Sequence, residues 1–556
     1  MDEAQKQAMA EAVARIRENM TTAAKAAGRD PGEVLLCAAC KTRTVEEVRY
    51  SADLPIDLFG ENHVQELVEK TDAGAYNGKP GHFIGHLQTN KVNKVVGLVA
   101  EGSGLRAPLG AVCHMLPDDG EESGIAAEVV GFRDGNLLFM PYGDMRGIRP
   151  GSRIRNTSLP PVFPVGPDLL GRAFDAFGTP LDAGPPVSAE IYTSPLPVGE
   201  AARADFSRQM EEQRPFAPTW AAEARQNWQP ELAPIYTDPP SPLQRPRITD
   251  ILDVGVRSVN SLLTLGKGQR VGIMAGSGVG KSTLMGMMAR YTRADVNVIA
   301  LIGERGREVV EFMERDLGPA GMARSVLVIA TSDQSPLVRM RAAYAATAVA
   351  EYFRDKGMDV LLMMDSVTRF AMAAREVGLA VGEPRTTKGY TPSVFAQLPK
   401  LLERAGRSAS GTITGIYTVL VDGDDFTEPI ADAVRSILDG HIVLTRDLAD
   451  QGHFPAIDVL RSISRLRSDI CQRQDVQAGR VVTRHMSTFR RAEDMVNIGA
   501  YAKGSNPEID AAIVKMPAIN AFLQQDVGDP QNLEQSMALL RALADMHASP
   551  VAVAEA

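Results

Sequence analysis

The chain has 556 residues, 44% hydrophobic and 23% charged, with 69 acidic side chains against 59 Lys and Arg, a net charge of −10 and a pI near 5.5. This length predicts roughly three or four domains with a large core, and the acidic balance argues against a nucleic acid as partner. Four cysteines (Cys37, Cys40, Cys113 and Cys471) suit a reducing cytoplasm rather than a disulfide framework, and the absence of any apolar run near 18 residues leaves only peripheral membrane association.

Residues 3 to 28 carry Met9, Val13, Ile16 and Met20 at helical spacing and end at Gly28 and Pro31. A strand over 34–40, a helix over 45–51, a strand over 56–60, a helix over 64–70 and a strand over 82–86 follow, a βαβαβ rhythm. Cys37 and Cys40 have C-x-x-C spacing, but on a strand residues three apart face opposite ways, so joint metal ligation or a disulfide is not expected. Lys41 sits at a strand's C-terminal end, where barrel enzymes place their chemistry. With Lys41-Thr42, Phe59-Gly-Glu-Asn62, Gln65-Glu66 and the run from His82 through His86, Leu87 and Gln88 to Asn90 and Lys91, residues 1–98 resemble the pyridoxal-phosphate homeostasis protein family, an alanine-racemase-like barrel. That resemblance implies a Schiff-base lysine at Lys41. Only about three βα units are present where a closed barrel needs eight, so the segment reads as truncated and no pyridoxal phosphate is expected at Lys41.

From Val95 the pattern changes to short strands broken by Gly and Asp, over 124–132, 136–142, 152–157 and 171–177, which predicts a small β-barrel over 99–182. Residues 183–246 hold 12 of the 35 prolines and both tryptophans, Trp220 and Trp228. This composition predicts an extended, poorly ordered connection with a short helix near 201–213. Trp220, Trp228 and Phe216 are candidate partner anchors within it.

An α/β core is expected over 247–467. The strand Arg270 to Ala275 runs into Ala275-Gly276-Ser277-Gly278-Val279-Gly280-Lys281-Ser282-Thr283 and then a helix. Glycines let successive N–H groups turn around phosphate oxygens, Lys281 reaches the terminal phosphates of ATP, and Ser282 offers a hydroxyl to Mg²⁺. The strand over 297–302 ends in Gly303-Glu304-Arg305-Gly306-Arg307-Glu308, and the strand over 360–364 ends in Asp365-Ser366. Asp365 is placed to organise Mg²⁺, partly through water, and Glu304 to polarise the attacking water, with Arg305 beside it as a further catalytic candidate.

These motifs continue in order with M-M-D-S-V-T-R-F, Gly382-Glu-Pro384, Lys388-Gly-Tyr390, Gly423-Asp-Asp425, Ile437-Leu-Asp-Gly-His441, Pro455-Ala-Ile-Asp458 and Ser462-Ile-Ser-Arg465. From about Val95 onward the chain resembles the flagellar and type III protein-export ATPases, relatives of rotary ATP synthase catalytic subunits. The resemblance implies that Glu304 is the catalytic carboxylate, that Phe454 packs on the adenine and that Arg465 acts on a neighbouring subunit's nucleotide. It further implies a hexameric ring working with a regulator, a stalk, a membrane export gate, export substrates and chaperones. Where the family has its own N-terminal helix this chain has residues 1–94, and Arg385 stands where a second proline is common. A ring helicase would want an RNA-binding oligonucleotide fold and a basic central loop, and a non-catalytic ring subunit would lack the carboxylate matching Glu304. Residues 468–556 are expected to be helical, over 476–497, 509–525 and 533–546, with Arg480, Arg484, Arg490 and Arg491 on the first helix.

Overall fold

The computed structural model describes residues 1–61, 64–83, 91–117, 124–157, 161–182, 184, 230–421 and 428–545. Trp220, Trp228, Phe216, the 201–213 helix, Asn62, His86 to Asn90 and Gly423 to Asp425 lie outside these residues. The chain divides into two compact units, Met1–Lys91 and Val92–Ala556.

In the first unit, α1 (Glu3–Ala26), β1 (Cys37–Ala39), α2 (Val45–Ala52), β2 (Leu58–Glu61), α3 (Val64–Asp72) and β3 (Gly81–Phe83) alternate, and the strands form one parallel sheet in that order. Capping boxes start α1 (Asp2 with Gln5) and α2 (Thr44 with Glu47), satisfying N–H groups that a helix's first turn leaves free. Val13, Val48, Ile56, Phe59 and Tyr76 fill the core, the last two with rings stacked at 5.3 Å. Strand β1 is shorter than the expected 34–40. Asp57 takes the Leu36 N–H with its carboxylate at 2.5 Å, which ends the backbone ladder there. Cys37 is exposed and Cys40 buried, as the alternation of strand faces requires.

The second unit opens with a closed barrel of β4 (Lys91–Val96), β5 (Val99–Ser103), β6 (Val112–Leu116), β7 (Ile125–Arg133), β8 (Asn136–Pro141) and β9 (Arg153–Asn156), in the order β4-β5-β8-β7-β6-β9. It therefore starts earlier than the first strand expected from sequence. In β4 only Val92 is buried, so the strand offers almost no apolar pattern to read. The expected strand over 171–177 is corrected too: β11 (Arg172–Phe174) leaves the barrel and pairs in parallel with a strand of the central sheet, and Ala173 and Phe174 are buried on both faces. Ahead of it, β10 (Val162–Val165) pairs antiparallel with β12 (Glu231–Pro234).

Residues 230–236 were grouped with the Pro-rich connection, yet they are packed. Ile235 is fully buried and its carbonyl accepts from Arg404 Nη1 at 2.6 Å. Arg404 is itself fully buried and forks onto Glu351, its Nε donating to Oε1 at 2.9 Å. Losing the guanidinium would take from the largely buried Glu351 its forked partner, leaving it only Arg354 at 4.0 Å and the Thr237 hydroxyl at 3.4 Å, and would leave the buried Ile235 carbonyl without this donor. Arg404→Met is accordingly expected to lower stability by about 3–5 kcal/mol, read as a shift in urea midpoint; a loss below about 1 kcal/mol would contradict this account.

Nine strands make the central sheet among the described residues. The order is β11, β17 (Ser325–Ala330), β16 (Val296–Ile302), β18 (Asp359–Asp365), β20 (Thr412–Leu420), β15 (Arg270–Ala275), β21 (Gly440–Leu444) and β22 (Ile463–Ser464), with β19 (Gly406–Arg407) on β20; the short β13 (Ile251–Leu252) and β14 (Leu265–Gly266) pair separately. Strands β15 to β18 are near-continuous apolar runs because helices cover both faces. The helices that matter below are α4 (Lys281–Tyr291), α5 (Pro336–Asp355), α6 (Val367–Val381), α7 (Arg473–Asn497), α8 (Pro507–Leu523) and α9 (Leu533–Asp545). The last three pack together through Val482, Met486, Ile519, Phe522, Met537 and Leu540. On α7, Arg490 pairs with Asp458 at 3.1 Å while Arg480, Arg484 and Arg491 face solvent.

Candidate active site

Strand β15 is central and delivers the 275–280 loop to the sheet's C-terminal edge, where doubly wound folds place their ligand crevice. Gly278 and Gly280 have φ of +79° and +86°, a region that side chains with a Cβ rarely enter, so the loop can fold back onto the N-terminus of α4. A cavity of about 670 Å³ opens over this loop. Lys281, Ser282, Glu304, Arg305, Glu308, Arg315, Ser332 and Arg369 are among the residues that line it.

Three strand ends meet there. Lys281 Nζ lies 2.5 Å from Asp365 Oδ1 and 3.8 Å from Glu304 Oε1, and all three side chains are largely buried. Asp365 also accepts from Thr418 Oγ1 on β20 at 2.7 Å, which fixes the carboxylate between a cation and a hydroxyl. The Glu304 carbonyl accepts from Ser332 N at 3.0 Å, tying the end of β16 to the loop after β17. Two carboxylates thus share one ammonium. Burial first, then the negative charge of Asp365, pushes the Glu304 carboxyl up to about 7, against the opposing pull of Lys281.

Arg305 is 82% exposed and pairs with Glu308 at 3.4 Å, so it stands at the cavity mouth rather than inside. Phe454 is 46% exposed, and a Cβ built on Gly280 would meet its ring at 3.7 Å, so the ring lies against the loop. Arg465 does not line this cavity; it is exposed just beyond β22, with Nη2 3.4 Å from the Arg435 carbonyl. Arg369 was not singled out from sequence. It stands one turn into α6, four residues after Asp365, and its Nε is buried without a hydrogen-bond partner. That spacing, inside a motif already quoted, was the available signal.

Residues 94–158 match the ATP synthase alpha/beta family beta-barrel domain, 255–464 that family's nucleotide-binding domain, and 471–542 the T3SS EscN ATPase C-terminal domain. The flagellum-specific ATP synthase of Bacillus subtilis is 51% identical over 455 residues, 82% of this chain and 94% of that protein. The chain belongs to the flagellar and type III secretion ATPases. The type 3 secretion system ATPase of Xanthomonas euvesicatoria is 45% identical over 82% of this chain and 94% of its own. Among solved structures, the assembled ATPase EscN of enteropathogenic E. coli superposes with a TM-score of 0.69 at 39% identity, covering 82% of this chain and 100% of that one. EscN in complex with its central stalk EscO gives 0.68 at 40% identity, with the same coverage.

From about Val95 onward the family reading is therefore correct, as is the fold class of P-loop core, N-terminal barrel and C-terminal helical domain, while none of these matches supports the family resemblance of residues 1–98. As a member of this family the protein is an ATP-hydrolysing enzyme. No helix among the described residues is long and apolar enough to cross a membrane.

The position of Glu304 gives this ATPase a testable pH dependence. A carboxyl held near 7 is protonated, and useless as a base, below that pH. On the expectation that Glu304 is the catalytic base, kcat/KM, which reports the nucleotide-free enzyme, should fall as pH drops through about 7. The raised value has the opposite sign for stability: the fold favours the protonated form, so this contribution is present at low pH and lost as pH rises through about 7. A kcat/KM profile that stays flat from pH 8 to pH 5.5 would rule Glu304 out as the titrating base.

Proposed function

We propose that this protein hydrolyses Mg·ATP to drive protein export by a flagellar-type apparatus, as a hexameric ring in the cytoplasm at the inner face of the membrane. The observation that supports export over ATP synthesis or helicase work is the C-terminal helical domain. Its match over 471–542 is to the T3SS EscN ATPase C-terminal domain. Flagellar rather than injectisome service rests on two flagellum-specific relatives at 51% and 48% identity; other flagellar relatives, at 40–45%, stand level with or below the type 3 secretion ATPase at 45% and do not discriminate.

The residues present fit a nucleotide triphosphate. The glycine loop offers backbone N–H groups, Arg369 Nε lacks a partner, and Lys281 is held among carboxylates that a phosphate chain would replace as its counter-charge. Ser282 and Asp365 would hold Mg²⁺, Asp365 partly through water, and the ion would neutralise charge on the phosphate oxygens. In this reading Ala275 to Thr283 wrap the phosphates and Lys281 contacts the terminal ones. Thr418 keeps Asp365 aimed at the crevice. Glu304 orients a water molecule and accepts its proton, which suits a carboxyl poised near neutrality. Phe454 packs on the adenine, and Arg305 screens the mouth. Arg465, directed away from its own cavity, serves the adjoining subunit.

Partners in this reading are other copies of the chain, a regulator, a stalk, the membrane gate, and export substrates with their chaperones. The assembled EscN and its complex with a stalk support the first and third of these. Lys41 is exposed just past the C-terminal end of β1, and this reading assigns it no cofactor. The test is chromosomal: Lys281→Ala in the native host should stop secretion of flagellar subunits at unchanged protein level. Continued secretion would refute the export role.

A further inference from the structure

A second cavity, of about 660 Å³, lies at the opposite edge of the sheet from the catalytic crevice. Arg293 and Arg324 immediately precede β16 and β17, and Arg290 is in the last turn of α4. Eleven residues of α4, roughly 16 Å, separate this place from Lys281. The far wall comes from the segment leading into α9, with Pro530 and Asn532.

The charges here are unbalanced. Among the described residues none of the three guanidiniums forms an ion pair, although Arg290 and Arg324 are both partly buried. The two acids on the same wall are engaged elsewhere. Asp253 accepts from Gly255 N at 2.9 Å, Asn260 Nδ2 at 2.7 Å and Leu533 N at 2.9 Å. Asp295 accepts from Asp359 N at 2.8 Å. Part of the arginine chemistry is structural: Arg290 Nη2 donates to the Val527 carbonyl, between α8 and α9, at 3.1 Å, and Arg324 Nη1 to the Thr292 carbonyl, which caps the end of α4, at 2.9 Å. Capping leaves a remainder. Arg290 Nε is buried with no partner, and the Arg293 side chain makes no hydrogen bond or ion pair. Burial first, and the neighbouring Arg293 charge with it, lowers the Arg324 pKa from its usual value against the opposing pull of the Asp295 carboxylate.

We propose that the cavity bounded by Arg290, Arg293 and Arg324 is a second anion site, separate from the phosphate-binding loop, for a compact soluble ligand carrying phosphate groups. Guanidinium forks match phosphate oxygens, and the volume is that of a small-molecule pocket, larger than a lone phosphate needs. Its walls join the nucleotide-binding core to the C-terminal helical domain, since Gln531 N donates to the Gly255 carbonyl at 3.1 Å and Tyr291 Oη to that of Val527 at 2.8 Å. A bound anion would tie the two together.

The probe is inorganic pyrophosphate, titrated calorimetrically into the full chain in nucleotide-free buffer with EDTA. Wild type should show two sites. Lys281→Ala should lose one of them and Arg293→Glu the other, the latter with at least a tenfold fall in association constant. The Arg293 side chain is exposed and forms no hydrogen bond or ion pair among the described residues, and its N–H bond to the Asp253 carbonyl does not depend on the side chain, so Arg293→Glu should keep the wild-type melting temperature and steady-state ATP hydrolysis. Arg290→Met, which keeps the aliphatic stem, should reproduce the loss. A single site in wild type, or two unchanged sites in both arginine variants, overturns the proposal. So does flotation with phosphatidic acid vesicles that depends on Arg293 while pyrophosphate binding does not, because the site would then read a lipid headgroup.

Discussion

Glu304→Gln protein is expected to bind ATP and ADP as tightly as wild type, or more tightly, while its turnover falls by about 10³-fold. The substitution keeps the shape of the side chain and leaves the backbone bond from Ser332 N to the Glu304 carbonyl in place. It removes the one carboxylate in the crevice poised near neutrality, together with part of the repulsion that anionic phosphates would meet beside Asp365. Lys281→Ala should behave differently. Without the ammonium 2.5 Å away, Asp365 is left as a buried carboxylate facing the phosphates, so binding itself fails. Steady-state phosphate release paired with fluorescent-nucleotide titration separates the two. Near-wild-type turnover in Glu304→Gln would end the assignment of Glu304 as base.

Arg465→Ala is expected to lower turnover by about 10³- to 10⁵-fold, the range found for arginine fingers. Within one chain the residue is exposed past the last strand of the sheet, and among the described residues its guanidinium hydrogen-bonds only to the Arg435 carbonyl, outside the cavity that holds Lys281. An effect of that size therefore requires a second copy. Specific activity of wild type should rise with protein concentration as rings form. Mixing Arg465→Ala with Lys281→Ala should restore activity at junctions that combine an intact loop with an intact donated guanidinium. If sizing shows mixed rings and no activity returns, Arg465 does not act across the interface.

The parts of this site that were legible in the sequence are those whose chemistry is local. Gly278, Gly280, Lys281 and Ser282 are consecutive or nearly so, and Glu304 and Asp365 each follow an apolar strand directly. Thr418 was invisible, because its bond to Asp365 depends on β20 lying between β18 and β15, an order that sequence spacing does not state. Arg369 was hidden differently, as one arginine among several whose direction is set by the helix turn after Asp365. Prolines outweighed everything else in 230–246, although Ile235 is anchored by an arginine 169 residues later. In the barrel β4, β5 and β6 all precede the first strand expected, and for β4 the cause is plain: one buried valine in six residues is not a pattern.

The two ends of the central sheet bear on solubility. Among the described residues the sheet finishes in β11, three residues long, and β22, two residues long, and the barrel closes on itself with no free strand. A long unpaired strand presents N–H and C=O groups that another chain can template onto, and aggregation begins there. Here the exposed ladders are too short to hold a foreign strand, and Arg461 and Arg465 flank β22 with charge. Copies of this protein can therefore be crowded together and still meet through side chains, whose contacts are selective and reversible, with little risk that one sheet grows into the next.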